Sequence, residues 1–148
     1  MNSISINTKY DKNVRPAWTI NKTIVQNARY IKQSCSYDKF AVFTLTFEPY
    51  FSEVDPTVYF VNQAFLQSDL AGNRQYENDF ISYVNAIHQR LEEEFNNLHD
   101  NNKPIINVKI TLTDLYINTT DSSEMCYKIA THLAFNKVMV DENLVLVL

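Results

Sequence analysis

Glycine is almost missing from this chain: Gly72 is the only one in 148 residues. A phosphate-cradling P-loop needs two glycines ahead of its Lys-Ser/Thr pair, and a dinucleotide-binding turn needs three. Neither motif can be written here, so the chain is not expected to hydrolyse nucleotides itself or to act as an enzyme. Cysteine is scarce as well, and Cys35 and Cys126 lack any CxxC partner. The three histidines, His88, His99 and His132, stand too far apart to form a local ligand pair. No metal site and no cofactor are expected. An apolar run long enough to cross a bilayer is also missing, as is a secretory h-region. A cytoplasmic protein with reduced thiols and no membrane contact is the expectation. Basic charge is not in excess, with 13 Lys and Arg against 17 Asp and Glu and a net charge of -4. Any contact with nucleic acid must therefore be local.

What is present suffices for one folded domain, since 45% hydrophobic and 20% charged residues over this length can bury a core. Residues 1–21 read as a polar lead-in, with Pro16 and Trp18 as its anchors, and residues 22–148 as a single domain. Strand patterns cover residues 23–31, 40–47 and 56–61, with Pro56 suited to a first strand position. Residues 73–98 carry the longest helical pattern: Phe80, Val84, Ile87, Leu91, Phe95 and Leu98 recur at steps of three and four. The Glu92-Glu93-Glu94 run spreads around that helix and reads as solvated charge. Pro104 follows a polar break, and a turn at 141–143 precedes a closing strand at 144–148.

The most informative stretch is residues 105–138. Val108, Ile110 and Leu112 alternate with Lys109, Thr111 and Thr113, the signature of a half-buried strand. Asp121 stands at a candidate helix N-cap with Glu124 three residues on. Met125, Ile129, Leu133 and Val138 then make an apolar stripe, widened by Cys126, Ala130 and Phe135. On such a stripe Cys126 reads as a small hydrophobe rather than a nucleophile.

From Val108 the words VKITLTD and DSSEMCYKIA closely resemble the second half of domain IV of elongation factor G. Upstream, Arg29 to Ser34 resembles that family's strand entering its first tip loop. AVFTLTFEP resembles the returning strand, and Tyr59-Phe60-Val61-Asn62 the segment after it. The matches span roughly residues 28–138, in the family's order. The tetracycline ribosomal protection proteins share this architecture.

The resemblance implies α+β architecture: a two-layer α/β sandwich with two helices on one face of a four-stranded, mostly antiparallel sheet. It also implies a left-handed β-α-β crossover, where parallel neighbours ordinarily favour a right-handed one. It implies a non-catalytic arm that binds the ribosome and reaches the tRNA and mRNA at the decoding centre. The candidate contact residues are Lys32, Gln33, Ser34, Tyr37 and Lys39 in one loop, with Tyr116 and Asn118 in the other. Lysines can meet phosphates and Tyr37 can stack on a base. Read on residues alone, the first loop is better taken as a solvated hairpin tip with two ordinary lysines, and it is the resemblance that brings the RNA-contact reading level with it. The family's first loop is glycine-rich, whereas here every glycine is replaced, and Asn118 stands near the family's histidine. A different class of reading follows from that: a free-standing interaction or regulatory module that kept the scaffold and binds an unknown protein. Both a piece of a larger factor with its own GTPase domain and a stand-alone relative fit the resemblance.

Overall fold

A computed structural model describes residues 3–6, 16–33, 38–51 and 58–147, with the side chains of residues 3–5 left aside. Its elements are β1 (Ser3–Ser5), β2 (Ala17–Ile20), β3 (Ile24–Lys32), β4 (Lys39–Pro49), β5 (Val58–Asn62), α1 (Arg74–Asp100), β6 (Val108–Tyr116), α2 (Glu124–Val138), a short 3-10 turn (Asp141–Asn143) and β7 (Leu144–Val147). The main sheet has the order β1-β5-β6-β4-β3. Four of its strands are those expected, and three-residue β1 extends the sheet at its edge. All neighbours are antiparallel except β5 and β6, which are parallel and joined through α1.

Alternation builds one apolar face on this sheet. Ala41, Phe43, Leu45 and Phe47 of β4 are wholly buried, as are Val108, Ile110 and Leu112 of β6. Both helices cover that face. Tyr83, Val84, Ile87, Leu91 and Phe95 of α1 join Cys126, Tyr127, Ala130, Ala134, Phe135 and Val138 of α2 in the same core. Aromatic contacts tie the layers together. Tyr127 stacks on Tyr83 of α1 at 4.4 Å and on Phe43 of the sheet at 5.9 Å, and Phe135 meets Phe95 and Phe47 edge-on. Such pairs contribute about 0.5–1.5 kcal/mol each beyond their burial. The other sheet face is polar and rich in threonine, with Asn27, Thr44 and Thr113 aligned in one row.

Among the described residues, Asn and Asp supply the other left-handed backbone positions. Gly72 has φ +87, and Asn102, Asn107 and Asp114 have φ 63, 59 and 53. Gly72 lies in the turn before α1, where its N–H donates to Glu77 Oε1 and Asn73 Oδ1 accepts from Gln75 and Tyr76 N–H. At the far end, Asn102 lets the Lys103 N–H reach back to the Leu98 carbonyl at 2.8 Å, closing the helix in a Schellman-like turn.

Four readings change. The lead-in contributes strand: β1 joins the main sheet, while β2 pairs with β7 in a separate two-stranded sheet. Ile6, Ala17 and Ile20 are buried there, and Trp18 docks through its N–H to Pro104 O and its carbonyl to Ile106 N–H. The N-cap of α2 is Ser123, whose Oγ accepts from Cys126 N–H; Asp121 belongs to the loop before it. The helix phase also differs, since Met125 is 61% and Leu133 43% exposed while Cys126, Ala130 and Ala134 face the core. Small residues let α2 approach its neighbours, and Tyr127 and Phe135 fill the space beside them. Finally, Glu94 is buried rather than solvated: Arg90 Nε donates to it at 3.0 Å, and its carboxylate lies 2.5 Å from His132 Nδ1 of α2. A carboxylate drawn between two helices needs such partners to offset its desolvation.

Candidate functional site: one end of the sheet

The β3–β4 hairpin and the loop after β6 emerge at the same end of the sheet. Lys32 pairs with Lys39 at the last strand pair of the hairpin, and Tyr116 pairs with Val42 three residues away along β4. The loop between β6 and α2 is bonded directly to the hairpin's root. Phe40 N–H donates to the Asp121 carbonyl at 3.2 Å, and Ser122 Oγ donates to the Phe40 carbonyl at 3.0 Å.

Asn118 and Ser122 shape that loop. Asn118 Oδ1 accepts from Thr120 and Asp121 N–H, its own N–H donates to Ser122 Oγ, and its carbonyl accepts from Ser122 N–H. An Asn folding the backbone onto its side chain is a familiar turn device. Beneath it, Tyr127 OH donates to the Tyr116 carbonyl at 2.7 Å and lies 3.1 Å from Ser122 Oγ. Each hydroxyl has one proton, and the two protons go to the carbonyls of Tyr116 and Phe40. The contact between the two hydroxyls is therefore a close dipolar one rather than a further full bond. Tyr83 OH donates to the Ser122 carbonyl at 3.2 Å. Burial raises the ionisation range of Tyr127, with the Ser122 contact acting in the opposite direction. Tyr83 is raised too, by burial first and then by the negative charge of Asp79. Both phenols stay protonated as donors at neutral pH.

A bulge aims the end of β6. Thr113 pairs with Thr44 but Tyr116 with Val42, so three steps along β6 match two along β4. Asp114, at φ 53, is the additional residue. The bulge resets the alternation, which puts Leu115 and Ile117 in the core and turns Tyr116 outward, 49% exposed.

Of the residues expected from sequence to make contacts, Lys32 and Gln33 are exposed, Lys39 is half-buried beside them, and Tyr116 is on the surface of the same end. Lys32 Nζ lies 5.6 Å from the centre of the Tyr30 ring. Asn118 joins them in space, but its side-chain oxygen is already engaged by the loop. Ser34, Tyr37 and also Cys35 lie outside the described residues. Sequence reasoning missed Tyr127 and Ser122, whose hydroxyls hold the two loops together; a tyrosine on the buried side of an amphipathic helix is the signal that could have found the first. Among the described residues, no group of three or more His, Cys, Asp or Glu is placed to hold a metal ion. No helix among them is long and apolar enough to cross a membrane.

No protein-family model matches the chain. Its sequence is 30% identical over 128 residues, 86% of the chain, to elongation factor G of Fervidobacterium nodosum, of which the match covers 17%. In structure it is similar to a Thermus thermophilus protein solved by crystallography, with a TM-score of 0.60 and 20% identity over 88% of this chain and 18% of that one. At that identity the second likeness speaks for the fold alone. The chain thus spans less than a fifth of the length of either relative, and the resemblance first carried by short motifs extends along most of it.

Proposed function

We propose that this chain, similar along most of its length to a segment of elongation factor G and sharing the α+β fold of domain IV, is a ribosome-binding module of a translation factor. It is non-catalytic by itself. Its working end is the one where the β3–β4 hairpin and the loop after β6 meet, and its partners are the RNAs at the decoding centre. The observation that carries this reading is the convergence of the two loops, bonded to each other through Phe40, Asp121 and Ser122. A reaching finger needs such bracing, because a contact made by flexible loops would spend binding free energy on ordering them.

An acidic chain binds RNA only where its charge is locally positive, and Lys32 and Lys39 stand opposite each other at the last strand pair of the hairpin. Arg29 extends the positive region along the exposed side of β3. Translation takes place in the cytoplasm, and that is where the module is assigned to act. Co-sedimentation with 70S ribosomes tests the reading. Binding at low salt is expected, falling steeply as salt rises and weakened at least tenfold by the double variant Lys32→Glu, Lys39→Glu. Failure to sediment with ribosomes at low salt, by a chain shown to be folded, would return the protein to the interaction-module reading.

A further inference from the structure

Beside the two loops lies a groove that the tip residues alone do not explain. It has a volume of about 370 Å³ and runs between residues 63–67, where the chain leaves β5, and the last four residues of β6. The groove exists because β5 stops accompanying β6 early. Gln63 N–H donates to the Leu112 carbonyl, and Asn62 Oδ1 then turns the chain away by accepting from Ala64 N–H. Gln67 closes the far end, since its carboxamide bonds both the N–H and the carbonyl of Ile117. Its polar atoms are thereby occupied.

Two aromatic rings, the Asp114 carboxylate and the polar side chains of Gln63 and Thr113 line the rest of the groove, and the carboxylate is its one charged group. Phe65 is 84% exposed and Tyr116 49% exposed, a large apolar area to leave in water at one small site. Asp114, two residues before Tyr116 on β6, is exposed and lines the same groove, and its carboxylate has no hydrogen-bond or ion-pair partner among the described residues. It is held there by a left-handed backbone conformation, which costs a non-glycine residue on the order of 1 kcal/mol. Across the sheet, Arg29, Val42 and Tyr116 occupy one row, so Arg29 is about two strand spacings, roughly 10 Å, from the tyrosine.

We propose that this groove takes one unstacked nucleobase of a single-stranded RNA, with guanine preferred. The proposal rests on the RNA-binding reading above and specifies a base-selective site for it. An aromatic wall offers a stacking face to any base, so it gives affinity without choice. A carboxylate adds the choice, because it only accepts. Guanine turns two adjacent donors, N1–H and an N2 amino hydrogen, to its Watson-Crick edge, matching the two oxygens of Asp114. Cytosine and adenine offer one amino group beside a ring acceptor, and uracil one N–H between two carbonyls. Both of those edges set an oxygen or nitrogen lone pair against the carboxylate. Arg29 lies at a distance suited to a neighbouring phosphate, which offsets the negative charge brought near Asp114.

Fluorescence anisotropy of the full chain with labelled RNA hexamers tests this. The probes are hexauridylate, the same strand with one central guanosine, and the same with inosine, which lacks the N2 amino group. The guanosine strand is expected to bind about tenfold tighter than hexauridylate, the gain of one good bidentate base contact. Inosine loses most of that gain. Asp114→Asn removes the preference while keeping the fold, since Asn tolerates the same backbone region, and Phe65→Ala, at a surface position, weakens all three strands. Equal binding of guanosine and uridine strands overturns the proposal, and so does a preference that survives Asp114→Asn. No measurable binding of any strand by a chain that still sediments with ribosomes overturns the groove and leaves the ribosome reading standing. Guanosine preference without ribosome binding does the reverse.

Discussion

Replacing Tyr127 by Phe removes a single oxygen at the joint between the sheet, α2 and the loop after β6. The ring remains, with its stacking on Tyr83 and Phe43. What disappears is the donor to the Tyr116 carbonyl at 2.7 Å and the contact with Ser122 Oγ. A net hydrogen bond contributes about 0.5–1.5 kcal/mol, and a buried acceptor left unpaired costs roughly 1–3 kcal/mol. The Tyr127 side chain is wholly buried and its bond to the Tyr116 carbonyl part-buried, so a loss of about 2 kcal/mol, the lost bond together with a poorly hydrated acceptor, is expected. Urea unfolding at 25 °C and pH 7 measures it, and at this chain length the same change lowers Tm by roughly 4–8 °C. The variant should also alter the alkaline limb. Burial raises the folded-state ionisation of Tyr127 and Tyr83 above the unfolded value of 10.0. Above pH 10 the unfolded chain loses protons that the folded one keeps, so stability is constant with respect to these groups below that pH and falls as pH rises beyond it. Each fully raised phenol contributes a slope of up to about 1.4 kcal/mol per pH unit, and Tyr127→Phe should remove one such contribution while Tyr83 keeps the other. A Phe variant as stable as the parent at pH 7, with an unchanged slope between pH 10 and 11, would refute the account of this joint.

Two further outcomes follow from the backbone. Asp114→Gly should be neutral or stabilise by up to about 1 kcal/mol because glycine adopts the bulge conformation without strain, whereas Asp114→Val should cost about 1–3 kcal/mol; equal unfolding midpoints for the two variants would show that the bulge is not strained there. Ser123→Ala should destabilise α2 by about 1 kcal/mol and Asp121→Ala by less, measured by thermal unfolding, since the Ser123 hydroxyl alone accepts a helix N–H; the opposite order would return the cap to Asp121.

Local pattern alone made much of this molecule legible. The alternation in β4 and β6 and the three-and-four spacing in α1 read as half-buried strands and a one-sided helix, and a single glycine left no way to write a P-loop or a dinucleotide-binding turn. The two-layer class came from the resemblance that the words VKITLTD and DSSEMCYKIA carry, not from periodicity alone. Where reading failed, the missing information was not local. Met125, Ile129 and Leu133 are as apolar as any core stripe, yet α2 turns Cys126, Ala130 and Ala134 inward because the room left by Phe43, Tyr83 and Phe47 suits two rings and several small residues. Glu94 looks like one carboxylate in a solvated run until α2 brings His132 to it. The lead-in became strand only because a sheet edge and β7 were there to pair with it. Sequence by itself determined which segments alternate, coil or turn, since those are properties of neighbours in the chain. The tertiary structure decided the phase of α2, the bulge at Asp114 and the groove beside it, because each depends on which distant atoms compete for the same space and the same hydrogen bonds.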